Sequence, residues 1–516
     1  MNSRSQLGWL LLGGLIFRLI IATFLPPGFD EAYYFLYVRH LDWSYFDHPI
    51  AVALTTGIGV WLTGVVSPLT IRLGALGLFT LSLWLLYETG RSLFDAKSGW
   101  IAAAIASLSP LFFLTCGTLT APDNALIFFW SLTLYLCAQE FFPGDDRPYR
   151  PTPKLVLIAL AVGLACLSKY HGFLLGLSLV GFCLTSADYR VVFRSRWLWL
   201  SLGAYGLTLL PLLYWNSLHE WISFRFHLGD RFSSETAHYS ILNFILNFLG
   251  VFLAQIAFLF PAIGLPLWWV SLRQIIKADT KTSFLLWAGL PVAAGFTLLG
   301  GLTHTFPAWP VPGLWSLSLL LGKSAAAWPH RQIERWLTST GLIVASLLLI
   351  ALGHISLGTL QKPGQYAIFG GLVSPSQDPS TELSDTGQLG QQFRQSSEFQ
   401  AALAQTDFVV THEYWLSGYF AMALANSTDI PVTSFTPDPR GHAFWFHPQD
   451  WLGKDALFIS FARSSQAEVV SALAPYFQSV TPLTELSIQR GGVITETFYV
   501  YRAKRLIHPY PYPYGP

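Results

Sequence analysis

The chain has 516 residues, 52% hydrophobic and only 11% charged, against about 25% charged in an ordinary soluble domain, so it reads as a polytopic membrane protein. Thirty Lys and Arg against 29 Asp and Glu leave a formal net charge of +1, which argues for neither nucleic acid nor an acidic partner. The four cysteines, Cys116, Cys137, Cys166 and Cys183, lie inside apolar segments without paired spacing, which excludes a zinc knuckle and argues against a disulfide framework.

In chain order, Arg4 precedes an apolar run of about 19 residues with no small-residue cleavage site, which predicts a retained first helix and not a signal peptide. Twelve segments are candidate spans: 7–25, 50–66, 69–89, 99–117, 121–141, 154–169, 171–186, 197–215, 241–271, 283–302, 306–322 and 337–359. Segment 50–66 holds three glycines and as a helix would reach only about 25 Å. It is expected to lie along the outer surface or to dip in and return, which leaves eleven spans.

Positive charge decides the parity. With eleven spans, one side of the membrane receives Arg4, Arg91, Lys97, Arg147, Arg150, Lys154, Arg190, Arg194, Arg196, Arg273, Lys277, Lys281, Lys323, Arg331 and Arg335, which is 15 of the 30 basic residues. The positive-inside rule then predicts a cytoplasmic N-terminus and an external loop at 26–68.

That loop gathers four acidic groups and two histidines between Phe29 and Pro49, just after Pro26, Pro27 and Gly28 turn the chain out of the first span. The same parity brings Asp30, Glu31, Asp47, His48, Asp123, Lys169, His227, Arg231 and His304 to external helix ends or loops, and clustering of this kind in a membrane protein points to function. Each residue also has a plainer reading. Asp30 and Asp47 suit helix N-caps, and Thr120 with Asp123 fits a capping box. Lys169 suits a snorkelling lysine, His227 and Arg231 the face of an amphipathic surface helix, and His304 a polar interface position. Arg18, inside the first span, is rare and has no nameable partner in sequence.

Beyond 360 the composition turns polar. A linker is expected over 361–398, followed by a small external α/β domain over 399–516, with strands at 407–411, 431–435, 456–461 and 493–501 and helices at 412–425 and 464–477. The Pro-Tyr tail HPYPYPYGP reads as extended. No glycine-rich phosphate loop is present.

These residue types fit one reaction best. Transfer of a sugar from a polyprenyl phosphate needs a base for the acceptor hydroxyl, cations for the leaving phosphate and an apolar groove for the lipid. Asp30 is the candidate base, while Lys169 and Arg231, at expected wet positions, suit the phosphate. The main rival is a polytopic secondary transporter of a glycolipid or anionic solute, which would place its polar residues at mid-membrane. An assembly protein that binds through its outer domain is the third reading, and it leaves the converging acids unexplained.

The stretches GFDEAYYFLYVRHLDWSYFDHPI, LTAPDNALIFFW and LSKYHG resemble the bacterial members of the dolichyl-phosphate-mannose protein mannosyltransferase superfamily, which are related to the lipid A aminoarabinose transferases. The resemblance covers 7 to about 360 and extends weakly into the C-terminal domain. It implies a GT-C fold over 1–360 and an inverting, mannosyltransferase-like transfer of a hexosyl or pentosyl group from a polyprenyl-phosphate donor to a protein, lipid or glycan acceptor. It further implies catalytic roles for Asp30, Glu31 and Asp47, and donor-phosphate contacts from His48, Lys169 and Arg231. Where the aminoarabinose transferases carry Glu-Lys-Pro, this chain has Asp47, His48 and Pro49, so the lysine is missing. The resemblance to the protein mannosyltransferases implies that no cofactor is required. The aminoarabinose branch implies a divalent metal ion, zinc, magnesium or manganese, at the positions matched by Asp47, Asp123 and His227.

Overall fold

The computed structural model of the protein describes residues 3–144, 148–230, 240–303, 305–461 and 466–515. The chain forms two compact units, one of Met1–Ile20, Trp43–Thr55 and Gly74–Leu347, the other of Ile21–Asp42, Thr56–Leu73 and Leu348–Pro516.

The first unit is a bundle of apolar helices. Backbone N–H and C=O groups in lipid must be satisfied within the segment, which leaves helix as the form for such runs. Polar side chains inside them turn back onto their own helix, as Thr89 does in donating to the Leu85 carbonyl at 2.7 Å. Helices Pro122–Phe141 and Val311–Ala326 are joined by a reciprocal pair of bonds: the Trp130 indole donates to Ser316 at 2.8 Å and the Trp315 indole to Ser131 at 2.9 Å. Both indoles are fully buried, so each N–H needs the partner it has.

Among the described residues, six helices are long and apolar enough to cross a membrane, or seven if the bent pair Gly172–Thr185 and Ala187–Arg194 is one span. That test does not reproduce the expected eleven, and two expected spans are interrupted by proline. Segment 99–117 is Ala96–Leu108 and Pro110–Thr115. Segment 241–271 becomes Ile241–Leu259 and Pro261–Gln274, turned at Phe260 with φ 75°. A Cβ on Gly264 would lie 2.8 Å from the Ile256 backbone, so these two helices fold back on one another. Proline lacks the N–H that would continue either helix, a break that average hydropathy does not register. Segment 50–66 contains a helix of 13 residues, Ala51–Thr63, about 20 Å long and short of the roughly 30 Å hydrocarbon core.

The second unit contains a five-stranded sheet in the order β2-β1-β3-β5-β4. Strand β1 (Phe408–Thr411) pairs parallel with β2 (Val432–Ser434) and β3 (Ala456–Phe461), while β5 (Val493–Leu506) is antiparallel to β3 and to β4 (Phe477–Arg490). The four expected strands are present, and β4 is an addition whose pattern is interrupted by Pro482 and by two register shifts. The helices expected at 412–425 and 464–477 appear as Tyr414–Leu424 and Gln466–Leu473.

Two boundaries differ from expectation. The stretch 361–398 is folded: it holds the helix Thr386–Gln395 and a turn in which Asp378 meets Arg490, which also donates to Gln361 at 3.0 Å. The first loop helix, Phe29–Arg39, belongs with the C-terminal residues and not with the helical bundle. Gly418 makes that possible. A Cβ there would stand 2.3 Å from the Ala32 backbone carbon, so helices Phe29–Arg39 and Tyr414–Leu424 touch backbone to backbone. Gly418→Ala is expected to cost about 1–3 kcal/mol through overpacking and to lower the melting midpoint of the detergent-solubilised protein. An unchanged midpoint contradicts this packing.

Candidate active site

The acidic turn of the second unit is built on Arg72. Its Nε and Nη2 donate to the two carboxylate oxygens of Glu31 at 2.8 and 2.6 Å. Its remaining N–H groups donate to the carbonyls of Ala22 at 2.9 Å, Leu25 at 2.7 Å and Pro26 at 3.0 Å. All five guanidinium donors are thereby used. Glu31 also accepts from the Gly28 N–H at 2.9 Å, which makes the N3 half of a capping box at the start of the Phe29–Arg39 helix. Arg72 is fully buried and Glu31 is 3% exposed.

Asp30 is different. The N-cap is Gly28, so Asp30 is not the cap, and its side chain is exposed in the first helical turn. Successive helical residues point about 100° apart, so burial of Glu31 turns Asp30 outward. Glu31, expected among the catalytic acids, is a structural strut whose carboxylate is enclosed by Arg72 and Gly28. Tyr419 seals the turn from the Tyr414–Leu424 helix, its hydroxyl donating to the Pro27 carbonyl at 3.0 Å. Burial, and then the Glu31 charge, push its hydroxyl far above the ordinary tyrosine range, so it stays protonated. Behind the same helix, burial holds His442 neutral, with its pKa lowered to about 3, and its ring meets the Ser417 hydroxyl at 2.7 Å.

The first unit holds the other candidate residues. Helix Pro122–Phe141 is capped by Asn124, whose Oδ1 accepts from the Ala121 N–H at 2.6 Å and whose amide donates to the Cys116 carbonyl at 2.8 Å. Asp123 is thus not the cap expected from its spacing to Thr120. It accepts from Lys169 Nζ through both oxygens, at 3.0 and 2.8 Å. Lys169 follows helix Lys154–Ser168 in an extended conformation and is 8% exposed, so it is neither snorkelling nor in the wet position expected.

The next residue, Tyr170, packs its ring on His227 at 4.6 Å between centroids. His227 Nε2 donates to the Asp47 carbonyl at 2.9 Å, and the Ser223 hydroxyl donates to the Tyr45 carbonyl at 3.1 Å. These bonds clamp a turn in which Tyr45 N–H reaches the His48 carbonyl at 3.1 Å. Asp47 is 3% exposed, while His48 is half-buried with its ring 6.4 Å from that of His227. The first unit therefore gathers Asp47, His48, Asp123, Lys169 and His227 along one chain of contacts. Arg231 and His304 lie outside the described residues.

The metal expectation does not fit this arrangement. Among the described residues no three His, Cys, Asp or Glu side chains are placed to hold a metal ion. Asp123 is engaged by Lys169, and the His227 Nε2 faces a carbonyl. No chemical step is derived through a metal.

Arg72, Asn124 and Tyr170 were the residues that sequence reading missed. A charge four residues inside the span Pro68–Leu93 was the one available signal for Arg72. The Asp123–Lys169 pair makes a prediction of its own. Lys169→Met alone leaves a buried carboxylate and Asp123→Leu alone a buried ammonium, and each is expected to cost about 3–5 kcal/mol. The double variant should recover part of the loss in a thermal melt, whereas additive losses would show that the pair is not coupled.

Comparison with known proteins follows the same lines. A model of the family described as dolichyl-phosphate-mannose-protein mannosyltransferase matches residues 47–215, a stretch that holds Asp47, Asp123 and Lys169. The lipid A galacturonosyltransferase RgtD of Rhizobium johnstonii is 27% identical over 322 residues, 60% of this chain. The match spans 63% of that relative's length. The crystal structure of ArnT from Cupriavidus metallidurans bound to undecaprenyl phosphate superposes with a TM-score of 0.62 at 15% identity, covering 96% of this chain and 98% of that one. The apo form of the same protein gives 0.60 at 15% identity, covering 97% and 98%. The chain is a multi-pass membrane protein of the GT-C fold, with a small C-terminal sheet domain, and over 60% of its length it is similar to a lipid A galacturonosyltransferase.

Proposed function

We propose that the protein transfers a sugar from a polyprenyl phosphate to an acceptor hydroxyl with inversion, and that Asp30 is the general base. The observation that carries this reading is an exposed carboxylate on a turn tied down on both sides, next to a second carboxylate already consumed by Arg72. A base must be rigid, ionised and within reach of substrate, and of the acidic pair Asp30 is the solvent-exposed one. The fold shared with ArnT, whose crystal structure is bound to undecaprenyl phosphate, supports a polyprenyl-phosphate donor. RgtD supports a lipid acceptor.

In the reaction the acceptor oxygen bonds to the anomeric carbon as the bond from that carbon to the phosphate oxygen breaks. The acceptor proton passes to the Asp30 carboxylate, and the polyprenyl phosphate leaves with the electron pair. The mannosyl preference implied by the resemblance gains no support, because RgtD is named for a galacturonosyl group.

Purified protein should be assayed with undecaprenyl phosphates carrying galacturonic acid, aminoarabinose or mannose, with lipid A or membrane extract as acceptor. Asp30→Asn preserves shape and is expected to lower turnover by about two to four orders of magnitude at matched folding. Near-normal turnover in that variant would remove Asp30 from the role. For orientation in an inner membrane, we place the N-terminus and residue 97 on the cytoplasmic side. A cysteine at 97 should react with an impermeant thiol reagent only after the membrane is opened, and labelling in intact cells overturns that orientation.

A further inference from the structure

We infer that Arg72 and Glu31 are positioning residues for Asp30, and that by neutralising one another they set the pH range in which Asp30 can take a proton. This inference rests on the reading of Asp30 as the base. Three observations support it.

The first is mechanical. Three of the five Arg72 bonds go to the carbonyls of Ala22, Leu25 and Pro26, the segment that leads into the acidic turn, and two go to Glu31 on its far side. Asp30 lies between Gly28 and Glu31, which are bonded to each other. Its backbone is therefore held from both directions by one side chain.

The second is electrostatic. The Arg72 and Glu31 side chains are 0% and 4% exposed, so their charges are poorly screened, and together they sum to zero. Removing either one leaves a buried unit charge beside the base. The third concerns two other ionisable groups of this unit. Tyr419 feels Asp30, Glu31 and Arg72 together, yet stays protonated and adds no charge. Arg39, at the other end of the same helix, is paired with Asp429 at 2.9 Å and lies about 13 Å along the axis, beyond a Debye length.

The signs of the variants follow. A base loses activity as pH falls through its own titration, so the acid limb of turnover reports Asp30. Glu31→Gln leaves Arg72 uncompensated, favours the ionised carboxylate of Asp30, and should move that limb to lower pH by about half a unit or more. The double variant Glu31→Gln with Arg72→Gln removes both charges and should return the limb to its wild-type position. Its turnover should still be about 10- to 100-fold down, with KM for the donor within about threefold, because the turn is no longer clamped. A role confined to stability would leave the limb in place in every folded variant.

The experiment uses the full-length protein in detergent at about 0.1 M salt, with undecaprenyl phosphate-linked galacturonic acid as donor, lipid A as acceptor, and a thermal melt to score folding. Asp30→Asn is run alongside. If Asp30→Asn keeps its turnover, the base assignment fails. If Asp30→Asn is inactive but the acid limb of Glu31→Gln does not move, the inference fails by itself. Should Glu31→Gln not fold, the double variant decides: turnover near wild type overturns the positioning role, and loss in kcat without loss in KM supports it.

Discussion

Arg72 is the residue on which the acidic turn depends. A guanidinium buried in a membrane protein carries a desolvation cost of several kcal/mol, and only a complete set of acceptors offsets it. Here the set consists of one carboxylate and three main-chain carbonyls. Because those carbonyls belong to the end of the first helix and the turn beyond it, satisfying one side chain also fixes the path of the backbone. Because the carboxylate is Glu31, the helix that follows is capped at the same stroke.

The same economy of charge recurs elsewhere. Lys169 is held by Asp123, and Arg490 by Asp378 with help from Gln361 and Ser380. Each pair joins segments distant in sequence. Arg18 is handled in another way: it is fully buried, donates to Thr80 at 3.2 Å and lies 4.9 Å from the centre of the Phe79 ring, with no acidic partner among the described residues. In a chain with so few charges, an ionic contact is a strong constraint on which helices become neighbours.

The functional reading depends on a contrast between adjacent residues. Asp30 and Glu31 are chemically equivalent in isolation, and both follow the same proline-glycine turn. One becomes a strut and the other an exposed carboxylate because the helix presents them about 100° apart and Glu31 is the one that meets Arg72. Asp123 shows the complementary case, since Asn124 performs the capping that spacing alone assigned to Asp123 and leaves the acid for Lys169.

Much of this was legible in the amino-acid sequence. Low charge and long apolar runs determined a multi-pass helical protein, because lipid offers the backbone no other partner. Strand composition located four of the five strands, and the rarity of charge in apolar surroundings singled out Asp30, Asp47, Asp123 and Lys169. The proline breaks within 99–117 and 241–271 and the folding of 361–398 were not legible, since averaged hydropathy does not register a chain reversal and a polar stretch folds through partners far away in sequence. Which acid pairs with which base is also settled at long range: Glu31 meets Arg72 across 41 positions and Lys169 meets Asp123 across 46. Sequence determines that charges in such a setting must be neutralised, and tertiary structure decides by whom, because that depends on which helices pack together and on the few ångströms over which a buried ion pair forms.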